Sequence, residues 1–343
     1  MDRERKLLLD DLESLLNFIA REDNLDTRKI LYSDLKNKLE TFSKDANRKK
    51  TKEKVDVIIF TVTETEQESL KQEFNFRGVD LIEHRKINGR IVWKSELERT
   101  NRPKLSLLIS QIGEAGTVKA AIACLRIFER YDCDLAILTG IAAGNDEGTS
   151  LYSVIITEGV ADYEPQRLEK ERIVYRPIPY PVKPVRLMNQ MRNFTSSNQK
   201  QWKERLKERF EKISESKAND LAEYKSKNSK DFISTLEDVK MKLGIVGSGN
   251  KLIADNTTLT TLKEEIPYQK GIIAAEMEAA GFCPAAEEFE KKWIMIRGIS
   301  DYGKEEDKND QLNKKFQWVA ALSAICAVLE YLENEYSGFE AEF

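Results

Sequence analysis

Short apolar runs, most of them followed by a turn that contains glycine or acidic residues, recur along this chain and constrain its fold more than any other feature. They occupy Val55–Val62, Leu105–Ser110, Asp134–Gly144, Val154–Thr157, Leu243–Gly247 and Trp293–Ile296. Strands that are buried on both faces read as nearly continuous apolar segments, and several of these runs precede a segment with helical periodicity. The pattern predicts an α/β domain, and open α/β sheets place their chemistry past the carboxyl ends of their strands.

The chain of 343 residues contains a single histidine, His84, and this excludes several classes of enzyme. A Ser-His-Asp triad needs a histidine base, and most zinc sites need histidine ligands. The four cysteines show no metal-type spacing and are interpreted as free thiols of a cytoplasmic protein. We therefore expect no metal and no cofactor, and any catalysis must use carboxylates, hydroxyls, backbone amides or lysine.

The overall charge balance gives no reason to expect a polyanionic macromolecule as partner. The formal net charge is −4, which does not favour binding to nucleic acid or to an anionic membrane surface. No uninterrupted apolar run reaches the ~20 residues that span a bilayer. We expect neither a nucleic-acid partner nor a membrane partner.

The chain divides into a helical extension and one larger domain. Residues 1–53 show two stretches of helical spacing separated by a turn at Asp23–Asp26, and they predict a helical hairpin that docks on the domain, a second subunit or a regulatory protein. Residues 54–335 form the predicted domain. Within it, residues 166–242 are divergent and basic; a solvated helix face is the favoured interpretation, and a rim that attracts phosphates is the alternative.

Three carboxylates lie near the predicted strand ends. Glu66 lies in a helix start after the first strand, Asp301 follows the strand Trp293–Ile296, and Glu278 lies in Ala275–Ala279, which predicts an acidic helix start. Each acid alone is as well explained by helix capping. Together they favour a site.

Two glycine-containing turns add a second kind of signal. The turn at Gly113 leads into an apolar helix and is able to present backbone N–H groups to an anion. The turn at Gly140 follows a buried strand, where the absence of a side chain lets a ligand approach the backbone. Neither turn is a Walker loop or a dinucleotide fingerprint.

Five stretches carry a resemblance to a known family: Ile58–Leu70, Leu107–Ala121, Asp134–Gly144, Gly244–Ile253, and the pair Ala275–Ala279 with Arg297–Asp301. In them the chain resembles the nucleoside phosphorylase and methylthioadenosine/adenosylhomocysteine nucleosidase superfamily. The resemblance extends from about Lys54 to Tyr331. It implies a three-layer α/β/α sandwich with a central mixed, partly closed β-sheet, to which the N-terminal hairpin is added.

The resemblance also implies roles for individual residues. Asp301 would protonate the leaving purine, Glu278 would bind the ribose hydroxyls, and Glu66 would activate water; Glu64 and Glu68 stay open as alternatives because the alignment needs a one-residue insertion. The further substrate-binding residues that it implies are Met277, Glu276, Ser300, Gly113, Gly140 and Leu252. Leu252 stands where relatives often carry a base-stacking aromatic residue, so the choice of base stays open.

The function that the resemblance implies is hydrolysis of the N-glycosidic bond of a purine nucleoside or nucleotide of the ATP or AMP type. Anti-phage defence by nucleotide depletion and a homo-oligomeric cytoplasmic enzyme are also expected. A phosphorylase is the first alternative, but Gln111–Glu114 offers no arginine or serine for phosphate, and Glu114 would repel it. The second alternative is a module that senses a nucleotide without cleaving it.

Overall fold

A ten-stranded mixed β-sheet forms the centre of the molecule, with the strand order β11-β10-β6-β12-β5-β1-β4-β3-β2 and β9 paired to β6. Its strands are β1 (Glu53–Thr61), β2 (Ile82–Ile87), β3 (Arg90–Arg99), β4 (Arg102–Gln111), β5 (Tyr131–Gly144), β6 (Val154–Asp162), β9 (Ile178–Pro181), β10 (Met241–Ser248), β11 (Ile272–Glu276) and β12 (Lys292–Asp301). A separate two-stranded sheet consists of β7 (Gln166–Leu168) and β8 (Ile173–Tyr175).

The computed structural model describes residues 52–339 except 88, 146–147, 171–172, 228–231, 256, 267–270 and 306–310, together with Ser14, Ile19 and Leu35. The hairpin predicted for residues 1–53 therefore lies almost entirely outside the described residues. The predicted domain boundary near residue 54 stays a prediction.

One part of the sheet closes on itself. Strand β5 is 14 residues long; most of it pairs in parallel with β1 and β12, while Ala143 and Gly144 at its end pair antiparallel with β11. Because β11, β10, β6 and β12 are also hydrogen-bonded in sequence, five strands complete a ring. The predicted mixed, partly closed sheet is confirmed, and the carboxyl end of β5 lies at the point of closure.

Helices cover both faces of the sheet. They are α1 (Glu64–Phe76), α2 (Thr117–Phe128), α3 (Val185–Ser197), α4 (Gln199–Ser214), α5 (Ala218–Lys227), α6 (Phe232–Glu237), α7 (Thr258–Glu265), α8 (Ala279–Glu288) and α9 (Gln311–Asn334). Helix α1 packs with α9, and α2 packs with α8. Since parallel crossovers are right-handed, these two pairs form the outer layers of a three-layer α/β/α sandwich.

Helix α9 packs on the sheet, mainly against β12 and β5. Its composition and length would allow it to cross a bilayer, but most of it is buried inside the domain. It approaches β12 so closely that a methyl group built on Gly298 would overlap the Ala320 carbonyl. Helix α9 is therefore a core element.

The basic helix α4 is docked, not extended into solvent. Trp202 is fully buried, and its indole Nε1 donates to the Ser323 carbonyl of α9 at 3.0 Å. Ion pairs link α4 to α1 and α9, and we name their members the helix-side cluster: Arg77, Arg205, Arg209, Glu73, Glu330 and Glu333. Neither arginine of α4 in this cluster is available for a phosphate.

Two local predictions were wrong. The strand predicted to break at Arg297 continues to Asp301, because Arg297–Ile299 keep pairing with β5 and the Arg297 charge is matched by buried carboxylates. Glu276 closes strand β11 and does not start a helix, since Ala274 and Ala275 pair with both β10 and β5. The helix begins at Ala279, with Glu278 as its N-cap residue.

Candidate active site

Arg297 lies at the centre of a buried group of carboxylates. Its side chain is fully buried in strand β12, and its guanidinium reaches three glutamates from three other segments. Nη2 donates to Glu276 and, at 2.9 Å, to Glu278 Oε2, while Nη1 lies 3.6 Å from Glu66 Oε1. We name Arg297, Glu66, Glu276 and Glu278 the site cluster. It places three carboxylates around one cation.

Backbone amides fix the Glu66 carboxylate. Glu66 Oε2 accepts from the amides of Val62 at 2.7 Å and Thr63 at 2.9 Å, and Oε1 accepts from the Ile141 amide at 2.9 Å. With the Thr63 hydroxyl it also completes a capping box on α1. A carboxylate has about four acceptor sites, so three amides leave about one for a water molecule. Glu66 is therefore able to cap helix α1 and to hold a water molecule at the same time.

The structure separates Glu66 from the two neighbouring candidates. Glu66 is buried, whereas Glu64 and Glu68 are exposed on the outer side of α1. Gly140 is what makes room for the Glu66 carboxylate. Its φ is 151°, and a methyl group built on it would overlap Glu66 Oε1 and lie 2.5 Å from Arg297 Nη1. Gly140 contributes by having no side chain.

Glu276 and Glu278 lie at the start of α8. Glu276 accepts from the amides of Glu278 and Ala279 at 3.0–3.1 Å, so it caps the helix while it pairs with Arg297. Glu278 turns towards the opposite element, where its Oε1 accepts from the Gly116 amide at 3.1 Å. Met277 between them is half-buried. Both oxygens of the Glu276 carboxylate thus already accept from protein donors, and its substrate role stays a prediction.

Burial and the neighbouring charges shift the pKa values of two of these groups, Glu278 and Arg297. Burial raises the pKa of Glu278 to about 8; Arg297 opposes the shift, and the charges of Glu276 and Glu66 add to it. Burial alone would lower the pKa of Arg297, but the charges of Glu276, Glu278 and Glu66 raise it overall. The site cluster thus holds a cation and an acid with a strongly raised pKa.

Asp301 ends the strand that carries Arg297. The Ser300 hydroxyl donates to Asp301 Oδ2 at 2.8 Å, and the Gly303 amide donates to Oδ1 at 2.9 Å. Both Ser300 and Asp301 are buried. Ser300 therefore orients the Asp301 carboxyl, and its own contact with substrate stays a prediction.

The end of β5 forms the floor between the acids. Asp301 pairs with Ala143 of β5, and Ala143 pairs with Ala275 of β11, so two strand spacings, roughly 10 Å, separate Asp301 from the Ala275 backbone next to Glu276. The Glu66 carboxylate rests on Ile141, two residues before Ala143 and hence about 7 Å away along β5. Backbone pairing therefore brings the segments that carry Asp301, Glu66 and Glu276 to the same end of β5.

Two further predicted residues, Gly113 and Leu252, are exposed in the turns that follow β4 and β10. Gly113 is exposed in the turn after β4, with φ 91°, and its amide donates to the Val62 carbonyl at 2.8 Å. Leu252 is 64% exposed in the loop after β10. Their contacts with a base or sugar stay predictions.

Sequence reasoning missed Arg297 as a site residue, although a signal was present. An arginine inside an otherwise apolar buried strand has to be paired, and Glu276 and Glu278 were already among the predicted site residues. Arg90, which was not among the predicted residues, packs its guanidinium on the Gly113 turn from the neighbouring strand. No local pattern indicates that contact. Within the described ranges no group of His, Cys, Asp and Glu side chains is arranged to hold a metal ion.

Comparison with known proteins adds family information to this geometry. Residues 57–333 match the model of the phosphorylase superfamily. An ATP nucleosidase, Cap17, from Escherichia coli is 26% identical over 288 residues, which cover 81% of this chain and 51% of that protein. A 5′-methylthioadenosine/S-adenosylhomocysteine nucleosidase from Tolumonas auensis is 23% identical over 54% of this chain and 64% of its own length. The chain thus spans about half the length of the ATP nucleosidase that it matches.

Solved structures match the fold. An S-adenosylhomocysteine nucleosidase from Streptococcus pyogenes, in complex with 5-methylthiotubericidin, superposes with a TM-score of 0.57 at 16% identity, covering 83% of this chain and 98% of that one. A nucleosidase from Neisseria meningitidis, in complex with methylthio-immucillin-A, gives a TM-score of 0.55 at 18% identity, with coverage of 81% and 98%. At these identities the likeness concerns the fold alone.

Proposed function

Because this chain belongs to the phosphorylase superfamily, we propose that it is a purine nucleosidase that hydrolyses the N-glycosidic bond of a purine nucleoside or nucleotide. The observation that carries the proposal is the convergence of Glu66, Glu278 and Asp301 at the carboxyl end of β5, with Arg297 between the first two. Cleavage of this bond passes through an oxocarbenium-like sugar, as in glycoside hydrolysis. Carboxylates are the groups that such a transition state requires.

Each acid has a distinct task in the proposed reaction. Asp301, held by Ser300 and Gly303, protonates the purine as it leaves. Glu278 orients the ribose hydroxyls from the start of α8. Glu66 uses its remaining acceptor site to hold a water molecule and to take up its proton as the water attacks the anomeric carbon. Arg297 contacts neither base nor sugar in this scheme; it keeps Glu66 and Glu278 in place and is a positioning residue.

Hydrolysis is favoured over phosphorolysis because the donor groups near Glu66, where the nucleophile would lie, are already paired within the protein. The Ile141 amide donates to Glu66, and the Arg297 guanidinium is surrounded by three carboxylates. Neither group is available to a phosphate nucleophile. The carboxylates on both sides of the sugar position also argue against a module that only senses nucleotides.

We extend the proposal to the biological setting. The match to an ATP nucleosidase supports a nucleotide-depleting role, and with the resemblance noted above it supports a part in anti-phage defence. Four buried free cysteines suit the cytoplasm. A homo-oligomer and a regulatory partner at residues 1–53 remain part of this proposal.

The proposal is tested by chromatography of ATP, AMP, adenosine and methylthioadenosine after incubation with the full chain, with and without inorganic phosphate. We expect free adenine from at least one of the four substrates in the absence of phosphate. Strict dependence on phosphate would establish the phosphorylase instead, and tight calorimetric binding without any product would establish the sensing module.

A further inference from the structure

A cavity of about 100 Å³ lies between α2 and strands β3 and β4, next to the site cluster and not within it. Its polar lining consists of Arg90, Lys119, Arg126, Ser110 and Gln111, and the rest of its lining is apolar. A water molecule needs roughly 10–15 Å³ of such volume. The cavity therefore has room for several waters, or for a phosphate group that displaces them.

The charge of this cavity is positive. Three of its described lining residues are cationic and none is acidic. The Glu114 carboxylate lies 3.5 Å from Lys119 Nζ and is 63% exposed. An exposed pair of this kind contributes little, so Glu114 is free to turn aside when an anion enters. The chain as a whole carries a net charge of −4, so the cavity is a positive region on an acidic protein.

Two backbone segments, at Gly113 and at Val62, lie between the cavity and the site cluster. A methyl group built on Gly113 would lie 2.8 Å from the Arg90 guanidinium carbon, so this cation packs directly on the Gly113 turn. The Gly113 amide donates to the Val62 carbonyl, and the Val62 amide donates to Glu66 Oε2. Only these two residues separate the Arg90 guanidinium from the carboxylate that is proposed to hold the attacking water.

The arginines of the site cluster and of helix α4 already pair with carboxylates. Arg297 is matched by three carboxylates, and the arginines of the basic helix α4 pair with Glu330 and Glu73. A nucleotide that approaches Glu66, Glu278 and Asp301 brings phosphate charge of the same sign as these acids. Its phosphates need a separate cationic position, and this cavity supplies one.

We propose that the Arg90–Lys119–Arg126 cavity binds a phosphate group of the 5′ chain of a nucleotide and so makes the enzyme selective for nucleotides over nucleosides. The inference rests on the proposed function, because the cavity matters for selectivity only if the neighbouring site cleaves the nucleotide. Arg90 is the specificity-determining residue, since its guanidinium packs directly on the Gly113 turn that leads to the site. Free inorganic phosphate shares the chemistry and is the competing occupant.

Direct binding tests the inference independently of catalysis. ATP and, separately, inorganic tripolyphosphate are titrated calorimetrically into the full chain carrying Asp301→Asn, with and without Arg90→Met. We expect Arg90→Met to weaken ATP binding by about tenfold to a hundredfold, the range for a lost charge-assisted hydrogen bond. Arg85→Met is the matched control: Arg85 is an exposed arginine on the adjacent strand that pairs with Glu53, and it should change nothing.

Equal ATP affinity with and without Arg90→Met would overturn the inference, whether or not the enzyme cleaves ATP. Arg126→Met, on a different element, provides a second variant if Arg90→Met lowers the melting temperature. If the full chain cleaves neither nucleosides nor nucleotides but Arg90→Met still weakens ATP binding, the proposed function fails and the phosphate site stands.

A kinetic measurement separates the two sources of phosphate. We expect Arg90→Met to raise the KM for ATP by about tenfold or more while leaving adenine release from adenosine unchanged. If adenosine cleavage needs added inorganic phosphate, and Arg90→Met abolishes the effect of that phosphate, the cavity belongs to a phosphate nucleophile and the inference is overturned.

Discussion

Two buried groups of arginine and glutamate side chains can be compared within this molecule, and they differ in balance. The helix-side cluster has three arginines for three glutamates: Arg77, Arg205 and Arg209 with Glu73, Glu330 and Glu333. The site cluster has one arginine, Arg297, for three glutamates. Both are buried, so burial alone does not mark the functional one.

The difference teaches what each cluster is for. In the helix-side cluster every buried charge meets an opposite charge, and the cluster fastens α4 to α1 and α9. The charge of Glu333 and Glu73 raises the pKa of Arg77 even though burial alone would lower it. In the site cluster burial raises the pKa of Glu278, and the charges of Glu276 and Glu66 add to the shift. The excess of carboxylate leaves acceptor capacity for a ligand. We expect mutations in the first cluster to change stability and mutations at the site to change turnover.

The largest expected effect is on turnover. Asp301→Asn keeps the size of the side chain but removes the proposed acid, so adenine release should fall by about 10²–10⁴-fold, the range for general acid catalysis. The melting temperature should stay close to that of the wild type. The measurement is kcat by quantified adenine release, with Asp132→Asn, at a 47% exposed side chain that pairs with Lys291, as the control. Full activity of Asp301→Asn would remove Asp301 from the mechanism.

The next effect is on stability. Glu73 bridges Arg77 at 2.6 Å and Arg209 at 2.9 Å, so Glu73→Gln leaves two buried guanidinium groups without a full counter-charge. Breaking a buried pair costs about 3–5 kcal/mol of unfolding free energy, and kcat per folded molecule should not change. Chemical denaturation measures the loss. Glu208→Gln is the control, since the Glu208 side chain is 53% exposed and should cost at most about 1 kcal/mol.

A drop in kcat for Glu73→Gln as large as that for Asp301→Asn would contradict the division of roles between the clusters. So would an unchanged stability, because it would mean that the helix-side cluster does not fasten α4.

The last predicted effect is a pH dependence. The folded pKa of Glu278, raised to about 8 from an ordinary value of 4.5, means that the native state binds a proton that the unfolded state has released between these values. Unfolding free energy should therefore fall as pH rises from about 4.5 to 8, by at most about 1.4 kcal/mol per pH unit. Glu278→Gln should remove this contribution, and Glu114→Gln at the surface should not. A Glu278→Gln profile parallel to that of the wild type would contradict the assigned pKa.

The sequence predicted the sheet well because the strands are buried on both faces and their apolar runs are continuous. Asp301 and Glu278 lie near strand ends, as the apolar runs indicated, and their roles stay predictions. The end of β12 was wrong because Arg297 looks like a break, and only distant partners, Glu66 among them, reveal it as a buried strand residue. Spacing within Glu64–Glu68 cannot single out Glu66 either, since the distinction comes from Ile141 and Gly140 on another strand.

Helix α4, the basic helix, shows the same limit of prediction from local sequence. Arg205 and Arg209 in the sequence indicate a solvated face, and their partners Glu330 and Glu73 lie more than 100 residues away. Arg90 gives no local signal at all, because its relevance comes from the antiparallel pairing of β3 with β4, which brings it to the Gly113 turn. Long-range pairing, not local pattern, decides which charged side chains form structural ion pairs and which are able to bind a ligand.

The most direct test of the account is adenine release from ATP in phosphate-free buffer made with ¹⁸O-labelled water, run side by side for the wild type and Glu66→Gln and quenched promptly. The account predicts that the wild type releases adenine together with a sugar that carries one labelled oxygen, and that Glu66→Gln loses most of this activity. Release that requires phosphate, or that proceeds at the wild-type rate in Glu66→Gln, would contradict it.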